Sequence, residues 1–130
     1  MIRRDLTLKR CDWRVCCYIG YESDDAVYLC QELTAMGCRG EKVREAFEHF
    51  MRGGHDSGLT YSNQKTRSSM VAIGHTDSGG GEVNTIGHEL LHVVAHVCEA
   101  DGIDMQGEEP CYMLGELCEK MFDELKSCEA

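Results

Sequence analysis

The chain has 130 residues, which is long enough for a single domain, residues 1–130, with a modest core, and leaves little room for a second domain. Hydrophobic residues make up 42% of it, a share typical of a folded rather than a disordered protein. Asp and Glu outnumber Lys and Arg by 23 to 13, for a formal net charge of −10, so we expect neither nucleic acid nor a membrane surface as a partner.

The first part of the chain predicts a strand followed by two helices. Residues 6–21 are rich in β-forming side chains, and charged and apolar residues alternate at their start, which indicates a strand with one solvent-exposed face. Residues 24–36 predict a helix that Asp24 caps and Gly37 ends. Apolar residues at helical spacing predict a second helix over residues 41–51.

The second part predicts a pair of strands and two further helices. Residues 59–62 and 69–74 predict two short antiparallel strands, and residues 77–81 predict a flexible, glycine-rich loop. A helix is predicted from residue 84 or 85 to about 100, and a last helix over 110–126, where the proline suits the first turn. Together these elements predict an α+β fold, in which a small antiparallel sheet packs on helices.

The nine cysteines indicate reduced thiols. Their number is odd, and no two have the Cys-x-x-Cys spacing that structural zinc knuckles usually need. The N-terminal residues lack the apolar stretch of a signal peptide, and no apolar run reaches about 18 residues. We therefore expect a cytoplasmic protein in which most cysteines are small packing residues.

The run His88-Glu89-Leu90-Leu91-His92 predicts a metal site. Helical residues four apart project from one face, so both imidazoles could bind a single zinc ion at about 2.0–2.1 Å. Glu89 is predicted to lie beside the ion and to act as the general base toward a zinc-bound water molecule. Imidazole and carboxylate ligands suit iron, nickel and manganese as well, so the motif alone does not determine the metal.

Zinc needs a third protein ligand, and the sequence offers three candidates. His96 follows His92 by four residues but is about 12 Å along the axis from His88, so a straight helix cannot bring all three to one ion. Glu108 extrapolates to the edge of the apolar stripe of the last helix, and Glu109 to the opposite face. Because that stripe must face the core, where the zinc helix lies, the pattern favours Glu108.

Tyr112 and His75 are further candidates for the site. Tyr112 follows Glu108 by one helical turn, so its hydroxyl could hydrogen-bond a ligand carboxylate or stabilise an oxyanion; a half-buried structural tyrosine is an equal alternative. His75 follows a predicted strand that could form the rim of the cleft, although a histidine there is more often a surface residue.

The chain resembles a zincin of the kind that binds zinc through two histidines and a glutamate, and more closely the short zincin-like proteins encoded by bacteriophages and gut bacteria. The resemblance covers residues 59–63, 84–92 and 107–115, and it combines His-Glu-x-x-His with a following Glu-x-x-x-Tyr helix. It implies a small antiparallel sheet over an active-site helix, with a glutamate from the next helix. It also implies zinc binding by His88, His92 and Glu108, with Glu89 as the general base.

The leading functional hypothesis is a zinc-dependent metallopeptidase, a hydrolase that cleaves a peptide or protein substrate. The alternative is a non-catalytic, zinc-stabilised protein-interaction module of phage or mobile-element origin, in which the ion ties the last two helices together. A third hypothesis is a module of helices and sheet that binds no metal. The sequence leaves the substrate and the oligomeric state open.

Overall fold

Strands and helices alternate in blocks along the chain, which confirms the predicted α+β class. The computed structural model describes residues 1–129, and the side chains of residues 1–123. In this part of the chain the strands are β1 (Ile2–Leu8), β2 (Trp13–Tyr21), β3 (Gly58–Asn63) and β4 (Ser68–Gly74). The helices are α1 (Ala26–Ala35), α2 (Glu41–Met51), α3 (Gly79–Asp101) and α4 (Glu109–Glu129).

The single strand predicted over residues 6–21 in fact spans the end of one strand, a turn and the second strand of a hairpin. β1 and β2 pair antiparallel, with Leu6 opposite Val15 and Leu8 opposite Trp13. Between them the chain turns through a short 3-10 helix and through Asp12, whose φ of 50° is left-handed. Asp tolerates this conformation better than most residues, which is why a turn forms within a run of β-forming side chains.

The sheet is mixed, and the prediction of a wholly antiparallel sheet is therefore wrong. The strand order is β1-β2-β4-β3. β3 and β4 form the predicted antiparallel pair, but β2 and β4 are parallel, with Cys17 opposite Val71. Parallel neighbours need a long crossover, and α1 and α2 supply it because they separate β2 from the β3–β4 hairpin along the chain.

Helices cover both faces of the sheet. Cys17 and Val71 face the core shared with α3 and α4, whereas Tyr18 and Ala72 face the core shared with α1 and α2. The alternation follows from the two-residue period of a strand. β3 lies at one edge of this three-layer arrangement.

The helices follow the predicted bounds closely, with one exception. α3 begins at Gly79, about five residues earlier than predicted, because Ser78 Oγ accepts a hydrogen bond of 3.0 Å from the backbone N–H of Gly81. The glycine-rich segment predicted as a loop is therefore the first turn of the helix. Gly102 caps the C-terminal end of α3, as predicted, in a left-handed conformation with φ 67°. No helix in the described part of the chain is long and apolar enough to cross a membrane.

Candidate metal centre

α3 buries one face and exposes the side that bears three histidines. His88 and His92 are exposed and His96 is half-buried. The histidines are four residues apart, so their side chains project from one side of the helix. The apolar side chains that anchor α3 in the core are Ile86, Leu90, Val93, Val94 and Val97.

The imidazoles of His88 and His92 lie close enough together to bind one ion. Their Nε2 atoms are 3.2 Å apart, and their ring centroids are 4.9 Å apart. Two nitrogens at about 2.0–2.1 Å from one tetrahedral ion are about 3.3–3.4 Å apart, so the observed separation fits a shared metal. Without an ion, one ring can donate a hydrogen bond to the other across the same distance.

Glu89 completes a His–Glu–His cluster, which consists of His88, Glu89 and His92. One potential ligand atom from each of the three residues lies within 4.8 Å of the others. The side chain of Glu89 is buried, with 5% exposure. The cluster therefore places a carboxylate, withdrawn from solvent, directly beside two solvent-facing imidazoles.

β3 contacts Glu89 through Thr60 and Gly58. Thr60 Oγ1 lies 3.2 Å from the backbone carbonyl oxygen of Glu89 and 3.4 Å from its Oε2, and its hydroxyl can donate to either. Gly58 lies against the same side chain, where a β-carbon would be 2.8 Å from Glu89 Cγ. The strand approaches α3 this closely because its residues on that face are small.

Ser62, the next residue on that face of β3, contacts His96. Ser62 Oγ lies 2.7 Å from His96 Nδ1. Burial lowers the pKa of His96, and the neighbouring His92 lowers it further, so the ring is predominantly neutral at pH 7. β3 therefore contacts the histidine-bearing side of α3 over more than one helical turn.

A cleft of about 540 Å³ opens beside His96 at the edge of the sheet. It is lined by β3, by α2 with Lys42, Glu45 and His49, and by α3 with His96 and Glu99. Within the described residues no strand pairs with the outer edge of β3. An extended chain could therefore lie against β3 in this cleft.

The structure does not bring the carboxylates of Glu108 or Glu109 to the His–Glu–His cluster. α3 continues for thirteen residues beyond His88, about 20 Å at 1.5 Å per residue, before the chain turns into α4. Glu108 is exposed just before α4, at that far end. Glu109 forms an ion pair with Arg10, with Oε1 3.3 Å from Nη1.

Tyr112 also lies away from the cluster. Its side chain is 56% exposed, and the Arg10 guanidinium carbon lies 5.4 Å from the centroid of its ring. Tyr112 and Glu109 therefore share the same arginine at the beginning of α4. The structure places the tyrosine hydroxyl neither on the cluster nor in the cleft beside His96.

His75 belongs to a different group of side chains, in the loops near the start of α3. Its Nε2 lies 3.7 Å from Asp77 Oδ1, and His55 Nε2 lies 2.6 Å from Asp77 Oδ2. The hydrogen bond with Asp77 raises the pKa of His55. All three side chains are exposed, and none of them joins the His–Glu–His cluster.

Sequence reasoning missed the three residues by which β3 contacts α3. Gly58, Thr60 and Ser62 alternate with the larger Leu59 and Tyr61, so the small side chains share one face of the strand. This alternation is visible in the sequence and indicates close packing of one face against a neighbouring element. Which element that is depends on contacts between distant segments, so the sequence does not reveal it.

No protein-family model matches the sequence, and no curated protein or solved structure is significantly similar to it. Any function assigned to the chain therefore depends on the residues and geometry of the cluster and its surroundings.

Proposed function

We propose that this protein is a zinc-dependent metallopeptidase in which His88 and His92 bind the ion and Glu89 is the general base. The main support is the 3.2 Å separation of the two Nε2 atoms beside a buried carboxylate. If the motif were a chance pattern on a surface helix, Glu89 would be solvated. Instead β3 packs over it, through a glycine that leaves it room and a threonine that hydrogen-bonds to it.

The chemistry of this site divides between the ion and the side chains. A zinc ion held by the two imidazoles would lower the pKa of a bound water molecule to about 7 and would polarise a carbonyl group. Glu89 accepts a proton from the attacking water and can return it to the leaving amine. Thr60 restricts the orientation of Glu89, because its hydroxyl lies within reach of both the backbone carbonyl and one carboxylate oxygen.

A peptide is the substrate class that the surroundings of the cluster fit best. The outer edge of β3 is unpaired in the described sheet, and extended peptides bind such edges through backbone hydrogen bonds. The cleft beside β3 has room for side chains of the bound segment. Zinc is the proposed ion because imidazole nitrogens are among its usual ligands in catalytic sites.

A second candidate function is the non-catalytic, metal-stabilised interaction module. One observation favours it: among the described residues Glu89 is the carboxylate that lies within 4.8 Å of both histidines. In this arrangement Glu89 would be a third ligand instead of a base. Zinc would then contribute to folding and leave the carboxylate without a catalytic role.

The Glu89→Gln variant distinguishes the two candidates. Metal content is measured on protein purified without a His tag, and cleavage is measured with a mixed-sequence library of quenched fluorescent peptides. If Glu89 is the base, the variant retains about one equivalent of zinc and loses cleavage. If Glu89 is a ligand, zinc affinity falls by more than about 100-fold, because loss of a mere hydrogen-bond partner of a ligand already costs about 10- to 100-fold.

A matched control and a contradicting result complete this experiment. His75→Ala removes an exposed histidine outside the cluster, and it should leave metal content and cleavage unchanged. Less than about a tenth of an equivalent of zinc in the wild-type protein, with stability unchanged by chelator, would exclude both candidates.

A further inference from the structure

A chain of hydrogen bonds runs from the core of the protein to His96. Trp13 Nε1 lies 2.9 Å from Ser69 Oγ, Ser69 Oγ lies 2.6 Å from Ser62 Oγ, and Ser62 Oγ lies 2.7 Å from His96 Nδ1. Trp13 is fully buried and Ser69 is 1% exposed, so solvent does not compete for the inner part of the chain. We call this chain of Trp13, Ser69, Ser62 and His96 the Trp–His relay.

The direction of the relay follows from its buried end. The indole N–H of Trp13 can only donate, so Ser69 Oγ accepts from it. Among the described residues Ser62 is the partner left for the Ser69 hydroxyl, which therefore donates to Ser62 Oγ. We assign Ser62 as the donor to His96 Nδ1, its remaining partner among the described residues.

This direction fixes the tautomer of His96. Because Nδ1 accepts a hydrogen bond, the single proton of the neutral imidazole is on Nε2. Nδ1 is occupied by Ser62, so Nε2 is the polar atom that His96 can offer to the cleft it lines. The relay therefore presents an oriented N–H donor at the edge of β3.

The ring that carries this donor is the neighbour of one proposed metal ligand, His92. The ring centroids of His92 and His96 are 6.3 Å apart, and the two rings are tilted by 33°. Tyr112, one sequence candidate for contact with an oxyanion, lies instead beside Arg10.

We propose that His96 donates its Nε2–H to the carbonyl oxygen of a peptide bound across the cluster and the cleft. This inference rests on the proposed function, since it assigns His96 to the same reaction. A donor aimed at that oxygen stabilises the negative charge that develops on it in the transition state. Ser62, Ser69 and Trp13 are positioning residues that hold the ring and its tautomer.

The tautomer can be tested without metal or substrate. ¹⁵N NMR of the imidazole rings at pH 8 reports which nitrogen of each histidine carries the proton. We expect His96 to be protonated on Nε2 in the wild-type protein, and Ser62→Ala to give a mixture of tautomers. Ser68→Ala is the matched control, because the Ser68 hydroxyl contacts Thr66 outside the relay. Protonation of His96 on Nδ1 in the wild-type protein would overturn the inference.

The donor role is tested with acetohydroxamate, a small zinc ligand that carries a carbonyl oxygen. Calorimetric titration of the zinc-loaded protein should show about three- to tenfold weaker binding to His96→Leu, the loss of one hydrogen bond. His96→Gln retains an N–H donor, so its affinity should stay closer to that of the wild-type protein. Zinc affinity should not change in either variant.

The outcomes separate this inference from the proposed function. If zinc and acetohydroxamate bind equally well to the wild-type protein and to His96→Leu, the donor role is wrong and the metal site stands. If the wild-type protein binds neither zinc nor acetohydroxamate, the proposed function fails and the donor role fails with it. A fall in kcat at unchanged KM in His96→Leu would agree with a transition-state contact.

Discussion

Gly58 of β3 lies directly against the side chain of Glu89 in α3. A β-carbon at Gly58 would be 2.8 Å from Cγ and 3.0 Å from Cδ of that glutamate. The carboxylate proposed as the general base is thus held in place partly by the absence of a side chain on a neighbouring strand. A substitution far from the histidines in sequence should therefore affect the site.

The first prediction is that Gly58→Ala displaces Glu89 and lowers peptide cleavage while zinc remains bound. The added methyl group can be accommodated only if the strand or the glutamate moves, at a cost of about 1–3 kcal/mol in the free energy of unfolding. Urea denaturation measures that cost, and metal analysis shows whether His88 and His92 still bind zinc. Unchanged stability and cleavage would contradict the packing described for Gly58.

The second prediction is that Gly115→Ala, the matched control for Gly58, stabilises the protein. Gly115 is exposed within α4, and a β-carbon there meets no atom within 4 Å. Replacing glycine by alanine in a helix interior should raise the free energy of unfolding by about 0.5–1 kcal/mol. A destabilised variant in urea denaturation would show that the environment of Gly115 differs from this description.

The third prediction concerns metal removal. At zinc concentrations about 100 times the dissociation constant, binding stabilises the folded state by about 2.7 kcal/mol, so excess chelator should lower Tm by about 10 °C. The His92→Ala variant lacks one of the two imidazoles. Its Tm should therefore equal that of the chelator-treated wild-type protein, whether or not zinc is added. Differential scanning calorimetry measures both shifts. If zinc raised the Tm of His92→Ala as much as it raises that of the wild-type protein, His92 would not be a ligand.

The fourth prediction is a pH-dependent contribution from Glu116 in α4. Burial acts to raise the pKa of Glu116, but hydrogen bonds from Lys120, the backbone N–H of Lys9 and Arg10 outweigh it and lower the pKa from 4.5 to about 2. A carboxyl group whose pKa is lower in the folded state stabilises the protein above the unfolded pKa. That stabilisation is lost as the pH falls from about 4.5 to about 2.

The Glu116→Gln variant tests this contribution. At pH 7 the substitution should lower the free energy of unfolding by about 2 kcal/mol, whereas at pH 2 it should have little effect. Glu119→Gln, on an exposed position of the same helix, is the control and should change stability little at either pH. An equal decrease in the free energy of unfolding of Glu116→Gln at pH 2 and at pH 7 would contradict the prediction.

The fifth prediction is that Ser78→Ala destabilises the start of α3. Ser78 Oγ caps the helix through the N–H of Gly81, and loss of an N-cap costs about 1 kcal/mol. Ser78→Asp can accept the same hydrogen bond and should retain most of the stability. Hydrogen exchange of the amides near Gly81 should accelerate in the alanine variant. Equal amide exchange rates in Ser78→Ala and Ser78→Asp would show that the Ser78 cap contributes little to the stability of α3.

Local patterns predicted the helices and the histidine pair well. The bounds of α2 and the end of α3 were correct because helical periodicity and a terminal glycine are signals within a few residues. His88 and His92 share one side of α3 for the same reason, since their four-residue spacing is itself local. The start of α3 was missed because the three glycines disfavour a helix by propensity, whereas the Ser78 cap compensates.

Contacts between distant segments limited the rest of the sequence prediction. The parallel pairing of β2 with β4 joins segments about fifty residues apart, and no pattern within either strand specifies its partner. The helical pattern gives the angle at which Glu108 projects from the last helix. It does not give the distance of Glu108 from the histidines along the axis of α3. The contacts of Thr60 and Ser62 were missed because they depend on which strand lies beside α3.

The position of β4 between β2 and β3 also affects the order in which the protein can assemble during synthesis. Both neighbours of β4 precede it in the chain, so all four strands have been synthesised by residue 74. His88 and His92 emerge later, on the helix α3, which supplies part of the core on one face of the sheet. Ion capture would then be a late event, and a cell short of zinc would still produce a protein with a complete sheet.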